Sequence, residues 1–113
     1  MTIYYLDSDS FTVSGDESIA DWDSEGKHTI LLVHAEWCGY CKKTVPEFKK
    51  AAEQTDSVNF AMLDDVELKK MSKPLPVRGF PSFFLIDKDS GKLSKLEGFP
   101  RDASGIVDKA NSM

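Results

Sequence analysis

Apolar and polar positions along this chain follow a few distinct rhythms. Thr29–Ala35 is a continuous apolar and β-branched run broken only by His34, the pattern of a strand buried on both faces in the middle of a sheet. A helical rhythm follows from about Tyr40 to Gln54. There Cys41, Val45, Phe48 and Ala52 form one stripe, while Lys42, Lys43, Glu47, Lys49, Lys50 and Glu53 fill the solvent side. Pro46 lies inside that stripe, so it either kinks the helix by deleting a backbone bond to Lys42 or opens a second, shorter helix. Further strands are predicted over Ile3–Leu6, Val58–Leu63, Ser82–Ile86 and Leu93–Glu97, and the turn residues Asp87 to Lys92 join the last two as a hairpin.

Three more helices are predicted. Ser14–Glu25 carries Ile19 and Trp22, with Ser14 and Glu17 spaced as a capping box and Gly26 as a stop. Val66–Met71 follows the capping pair Asp64-Asp65, and Pro74 and Pro76 prevent its continuation. Asp102–Asn111 carries Ile106, Val107 and Ala110. Phe11–Val13 either extends the first strand or begins a loop. Strands alternating with helices and then a terminal hairpin predict an α/β chain, a central mixed sheet flanked by helices on both faces.

With 113 residues, 41% hydrophobic and 29% charged, the chain suits one soluble domain over residues 1–113. The formal charge of −5 argues against nucleic acid or anionic lipid as a partner. Its apolar runs, Ile30–Val33 and Phe83–Ile86, are far too short to span a bilayer. The N-terminus lacks a basic n-region and a long apolar h-region, which leads us to expect a cytoplasmic chain, with an already processed secretory chain as the other reading.

Only two cysteines occur, Cys38 and Cys41. A bridge across so short a loop would constrain the unfolded chain little, so the pair points to chemistry before scaffolding. Cys38 falls where the buried strand gives way to a helix, facing unpaired N–H groups and the positive end of the helix dipole. Both favour the thiolate, which is the nucleophile. Cys41, one turn on and further inside, is placed to attack Cys38 once Cys38 has bonded a partner's sulfur.

The stretch Trp37-Cys38-Gly39-Tyr40-Cys41-Lys42 resembles the active-site motif of the thioredoxin superfamily, and the resemblance covers nearly the whole chain. Ile30–Ala35 is similar to the family's central strand, Glu36 is a familiar residue before the tryptophan, and Pro46 falls where the family kinks its active-site helix. Val77-Arg78-Gly79-Phe80-Pro81-Ser82 resembles the segment bearing a cis-proline, with Pro81 placed 43 residues after Cys38. Gly98 matches a glycine at the far end of the hairpin. The resemblance implies a thioredoxin fold and dithiol–disulfide exchange with protein substrates, Cys38 as nucleophile and Cys41 as resolving thiol. It also implies a substrate surface of Trp37, Gly39, Tyr40, Phe80, Pro81 and Gly98, in which Phe80 pairs its backbone with an extended substrate. No bound cofactor is expected. Electrons would come from a reductase or a glutathione couple, and a monomer is expected.

The chain also departs from the family. A buried acid in the central strand and a lysine on its neighbour are replaced by Leu32 and Met62. Their joint loss is self-consistent, because either charge alone would be costly to bury. It leaves no evident acceptor for the Cys41 proton. His34 is the nearest substitute, on the same strand face as Leu32 and two residues nearer the cysteines. As imidazolium it would lower the pKa of Cys38; as imidazole it could take a proton.

Other readings compete. Cys38 and Cys41 could be half of a zinc site, although only His28 and His34 could complete it and His34 lies in the central strand. His34 could be a half-buried polar residue satisfied by a neighbour, His28 a solvated loop residue, and Trp22 core beneath the first helix. A glutaredoxin-like, glutathione-dependent reductase is a second enzyme reading, and a binding module with vestigial cysteines a third.

Overall fold

In the computed structural model, which describes residues 3–22 and 24–113, the apolar run and His34 form β4 (Thr29–His34) at the centre of a five-stranded sheet. Its partners are β5 (Asn59–Asp64), parallel on one side, and β6 (Ser82–Ile86), antiparallel on the other. Strand β1 (Ile3–Tyr5) adds parallel to β5, and β7 (Leu93–Lys95) closes the far edge antiparallel to β6. The sheet is therefore mixed, in the order β1-β5-β4-β6-β7, and the fold is the thioredoxin fold.

Alternation along β4 sends its side chains to two cores. Ile30 and Leu32 pack with Phe48, Ala51 and Ala52 of helix α1 (Gly39–Gln54) and with Ile106 and Ala110 of helix α3 (Ala103–Asn111). Leu31 and Val33 pack on the opposite face with Leu68 of helix α2 (Asp65–Lys70), Met71 and Leu75. Helix α1 runs continuously through Pro46. The Asp64 and Asp102 side chains cap α2 and α3 by accepting from the N–H groups of Glu67 and Gly105. Glu47 ties α1 to α3 by accepting from the Ala103 N–H at 3.1 Å. No described helix is long and apolar enough to cross a membrane.

One predicted element is wrong. The helix expected over Ser14–Glu25 is instead a hairpin of β2 (Phe11–Ser14) and β3 (Glu17–Ala20). Ser14 and Glu17, spaced like a capping box, are cross-strand partners flanking a two-residue turn whose Gly15 has φ +64°. Burial decides the outcome: Phe11, Ser18 and Ala20 turn inward with the period of a strand. The hairpin is pinned to the β6–β7 turn, where Ala20 N–H donates to the Gly91 carbonyl at 2.8 Å. Gly91 has φ +72°, and a Cβ there would run into the Ala20 carbonyl. Trp22 accordingly lies under no helix of its own segment; it packs against the core that holds Leu31 and Val33, and its ring meets Tyr4 edge-on at 4.7 Å. Asp23, inside the predicted helix, lies outside the described residues. His28 is not merely solvated, because its Nδ1 accepts from the Lys88 N–H at 3.1 Å.

Candidate active site at the end of the central strand

After β4 the chain turns through Ala35–Cys38, with Cys38 N–H donating to the Ala35 carbonyl at 3.1 Å. Cys38 is the N-cap of α1, in extended backbone conformation, and its side chain makes no capping hydrogen bond. Its thiol instead donates to the Phe80 carbonyl at 3.3 Å. The Phe80–Pro81 peptide bond is cis, and Phe80, the residue before the proline, lies with its carbonyl against the Cys38 sulfur. Both thiols are free. Cys38 and Cys41 share a small cluster with Ala35 and Phe80; Cys38 remains 7% exposed and Cys41 only 2%.

The two sulfurs titrate in opposite senses. Burial pushes Cys38 up, but the Cys41 thiol, the N–H groups of Cys41 and Tyr40 at the start of α1 and the Arg101 charge all favour its thiolate and bring it below the ordinary thiol value. Cys41 is pushed up to about 11, first by burial and then by its own hydrogen bond to Cys38 and the Cys38 charge. One sulfur is thus favoured as thiolate while the other keeps its proton.

The residues expected around the cysteines are brought together. Trp37 is 71% exposed, yet it is held at both ends. Its ring meets Phe80 edge-on at 5.5 Å, and its Nε1 donates to the Asp65 carboxylate at 3.0 Å. Phe80, Pro81 and Gly98 line one groove of about 430 Å³ with Lys95, Phe99 and Arg101. Gly98 has φ +62° and open space where a Cβ would stand, and Gly39, which starts α1, has the same open space. Tyr40, exposed, lies beneath the Arg101 guanidinium, 5.8 Å from its ring centre.

His34 is not part of that groove. It is half-buried on the other side of Cys41, where both line a separate cleft. Burial lowers its pKa, against the carboxylates of Asp64, Asp65 and Glu36, so imidazole and not imidazolium suits this placement. Among the described residues no three His, Cys, Asp or Glu side chains gather as a metal site. The sequence reading missed Arg101 and Asp65. Arg101 acts on cysteines some sixty residues away and carries no local signal; Asp65 read only as a helix cap.

A protein-family model described as Thioredoxin matches residues 11–112. The chain is 38% identical over 116 residues to a protein disulfide-isomerase of Datisca glomerata, covering 94% of this chain and 22% of that protein. It is 33% identical over 85 residues to thioredoxin H9 of Arabidopsis thaliana, covering 75% of this chain and 60% of that one. Among solved structures it resembles the short form of spinach chloroplast thioredoxin F, with TM-score 0.68, 23% identity, and coverage of 97% of this chain and 91% of that chain. The chain spans about a fifth of the length of the Datisca isomerase.

Proposed function

From the premise that this chain belongs to the thioredoxin family, we propose that it is a thiol–disulfide oxidoreductase acting on protein substrates, with Cys38 as nucleophile and Cys41 as resolving thiol. One observation carries the reading: two free thiols one helical turn apart, Cys38 at the N-cap of α1 against the Phe80 carbonyl and Cys41 buried behind it. The Cys38 thiolate attacks a substrate disulfide, forming a mixed disulfide and releasing one substrate thiolate. Cys41, once deprotonated, attacks the Cys38 sulfur. The Cys38–Cys41 bond forms, the second substrate thiolate leaves, and two electrons have passed to the substrate. A reductase or a glutathione couple restores the dithiol, and the same steps reversed oxidise a substrate dithiol.

Trp37, Tyr40 and Phe80 supply the apolar and aromatic contact surface in this reading. Gly39 and Gly98 leave room for an approaching backbone, and the groove beside Pro81 receives an extended segment. The test is an insulin-reduction assay with a dithiol donor, paired with Cys41→Ser. The native chain is expected to precipitate reduced insulin, and Cys41→Ser to accumulate a mixed disulfide through Cys38. A native chain without turnover, together with a Cys41→Ser chain that traps no adduct, would overturn the reading.

A further inference from the structure

The exchange reaction leaves one proton without an acceptor. Cys41 must lose its proton to attack the mixed disulfide, and burial, which raises its pKa, opposes that loss. The strand positions beneath it offer no base. Leu32 and Met62 are register partners on β4 and β5, and both are buried and apolar.

Cys41 nevertheless reaches a second cleft, of about 500 Å³, separate from the groove beside Pro81. Met62, Val45 and Tyr5 supply much of its wall, and His34 lies in it with Cys41. That space far exceeds the ~15 Å³ that a bridging water requires. Of the polar groups there, Lys42 and Lys49 bring ammonium donors without a lone pair, and Tyr5 a phenol. Glu36 is the other acceptor, but it is exposed on the loop after β4.

We propose that His34 accepts the Cys41 proton, through a water in the cleft the two side chains share, as Cys41 attacks the mixed disulfide. The proposal rests on the thiol-exchange reading above. The imidazole gains a proton and becomes imidazolium. The freed Cys41 thiolate forms the bond to the Cys38 sulfur, the bond from Cys38 to the substrate breaks, and its electron pair leaves on the substrate sulfur. The imidazolium then returns its proton to solvent or to the departing thiolate. Four charged groups bear on His34 from the elements packed against it. Asp64 on β5, Asp65 on α2 and Glu36 favour imidazolium, while Lys49 on α1 opposes it; burial outweighs them and leaves a neutral acceptor at pH 7. Charge on this ring is thus available to be gained in the reaction and is not already present.

The two sulfur steps can be timed separately. Mixing the reduced protein with dithiobis(nitrobenzoate) releases one thionitrobenzoate as Cys38 attacks and a second as Cys41 closes the disulfide. The second phase of the native protein should weaken as pH falls through a value below 6.5. In His34→Asn that inflection should vanish and the second phase should slow about tenfold or more near neutral pH, the first phase keeping its rate. His34→Phe, which fills the site with an apolar ring, should do the same if the asparagine destabilises the strand. His34→Asp should recover part of the lost rate, and Glu36→Gln should keep the second-phase inflection but move it further down, because a charge that favours imidazolium is gone, with the first phase keeping its rate. An unaltered second phase and pH profile in both His34→Asn and His34→Phe, or the loss appearing in Glu36→Gln instead, would overturn the proposal. A native protein with no first phase would overturn the exchange reading and this proposal with it.

Discussion

Trp37 and Asp65, from the segments that follow neighbouring strands β4 and β5, are joined by a 3.0 Å hydrogen bond from the indole Nε1 to the carboxylate. That bond fixes one end of a ring that is 71% exposed and otherwise rests on its edge-on contact with Phe80. Asp65 is itself buried, so the bond also satisfies a desolvated carboxylate.

Removing that carboxylate should therefore affect contact with substrate more than the fold. Asp65→Ala is expected to cost about 1.5 kcal/mol in urea unfolding, at the low end for a bond to a charged group because one partner stays wet. Its kcat/KM for insulin reduction should fall several-fold, with Trp37 emission altered. Asp65→Asn keeps an acceptor oxygen and should lie between the two. A stable Asp65→Ala protein with unchanged kcat/KM would show that the orientation of Trp37 does not matter.

The dithiol should give the reduced protein a two-sided pH dependence. Cys38 is lower in the folded chain than in the unfolded one, so its contribution to stability is complete above the ordinary thiol value and is lost as pH falls through the folded value. Cys41 runs the other way. Raised from 9.0 to about 11, it contributes stability that is complete below 9 and is lost as pH climbs from 9 to 11, where the folded chain holds a proton that the unfolded chain has released. Urea midpoints of the reduced protein should thus fall over that alkaline window. The corresponding fall should be absent in Cys41→Ala, and an identical slope in both proteins would contradict the assignment.

Arg101 should act on both thiols at once. Its charge favours the ionised form of Cys38 and of Cys41, and its guanidinium is seated over the Tyr40 ring. Arg101→Met is expected to slow alkylation of Cys38 by about threefold at neutral pH, since a thiol below its pKa reacts in proportion to its thiolate fraction. Arg101→Lys should retain part of the effect, and the difference between native and Arg101→Met should shrink at ~1 M salt. Rates that ignore both the substitution and the salt would exclude an electrostatic role.

The elements that position the cysteines were legible because local and long-range forces agree there. Thr29–His34 is apolar in sequence because both of its faces are buried, and the stripe on α1 is apolar because one face meets the sheet. The β2–β3 hairpin was not legible. Ser14 and Glu17 satisfy a helix-start pattern and a hairpin flank equally well, and the choice is made by Phe11 and Ala20 entering a core assembled from strands far along the chain. Arg101 was missed for a related reason. Its effect on the cysteines depends on α3 packing against α1, through contacts such as Glu47 with the Ala103 N–H, which no window around residue 101 contains. His34 was legible as a candidate from strand alternation alone, but its cleft was not, because Tyr5 and Met62 reach it from two other strands.

The Leu32–Met62 pair supplies the last prediction. These residues are register partners, both almost wholly buried, in a core with Phe48, Phe60 and Phe83. Leu32→Asp places a carboxylate there with no partner, and is expected to destabilise the protein by about 3 kcal/mol or more, or to force the acid to fold protonated. Met62→Lys alone should be costly for the same reason. Together the two charges can pair across adjacent strands, so the double variant should be less destabilised than the two single costs added, by ~0.5–3 kcal/mol. Urea unfolding of the four proteins closes the cycle. Additive costs would mean that the two positions do not meet in the core, and would remove the case that Leu32 and Met62 jointly stand in for a buried charge pair.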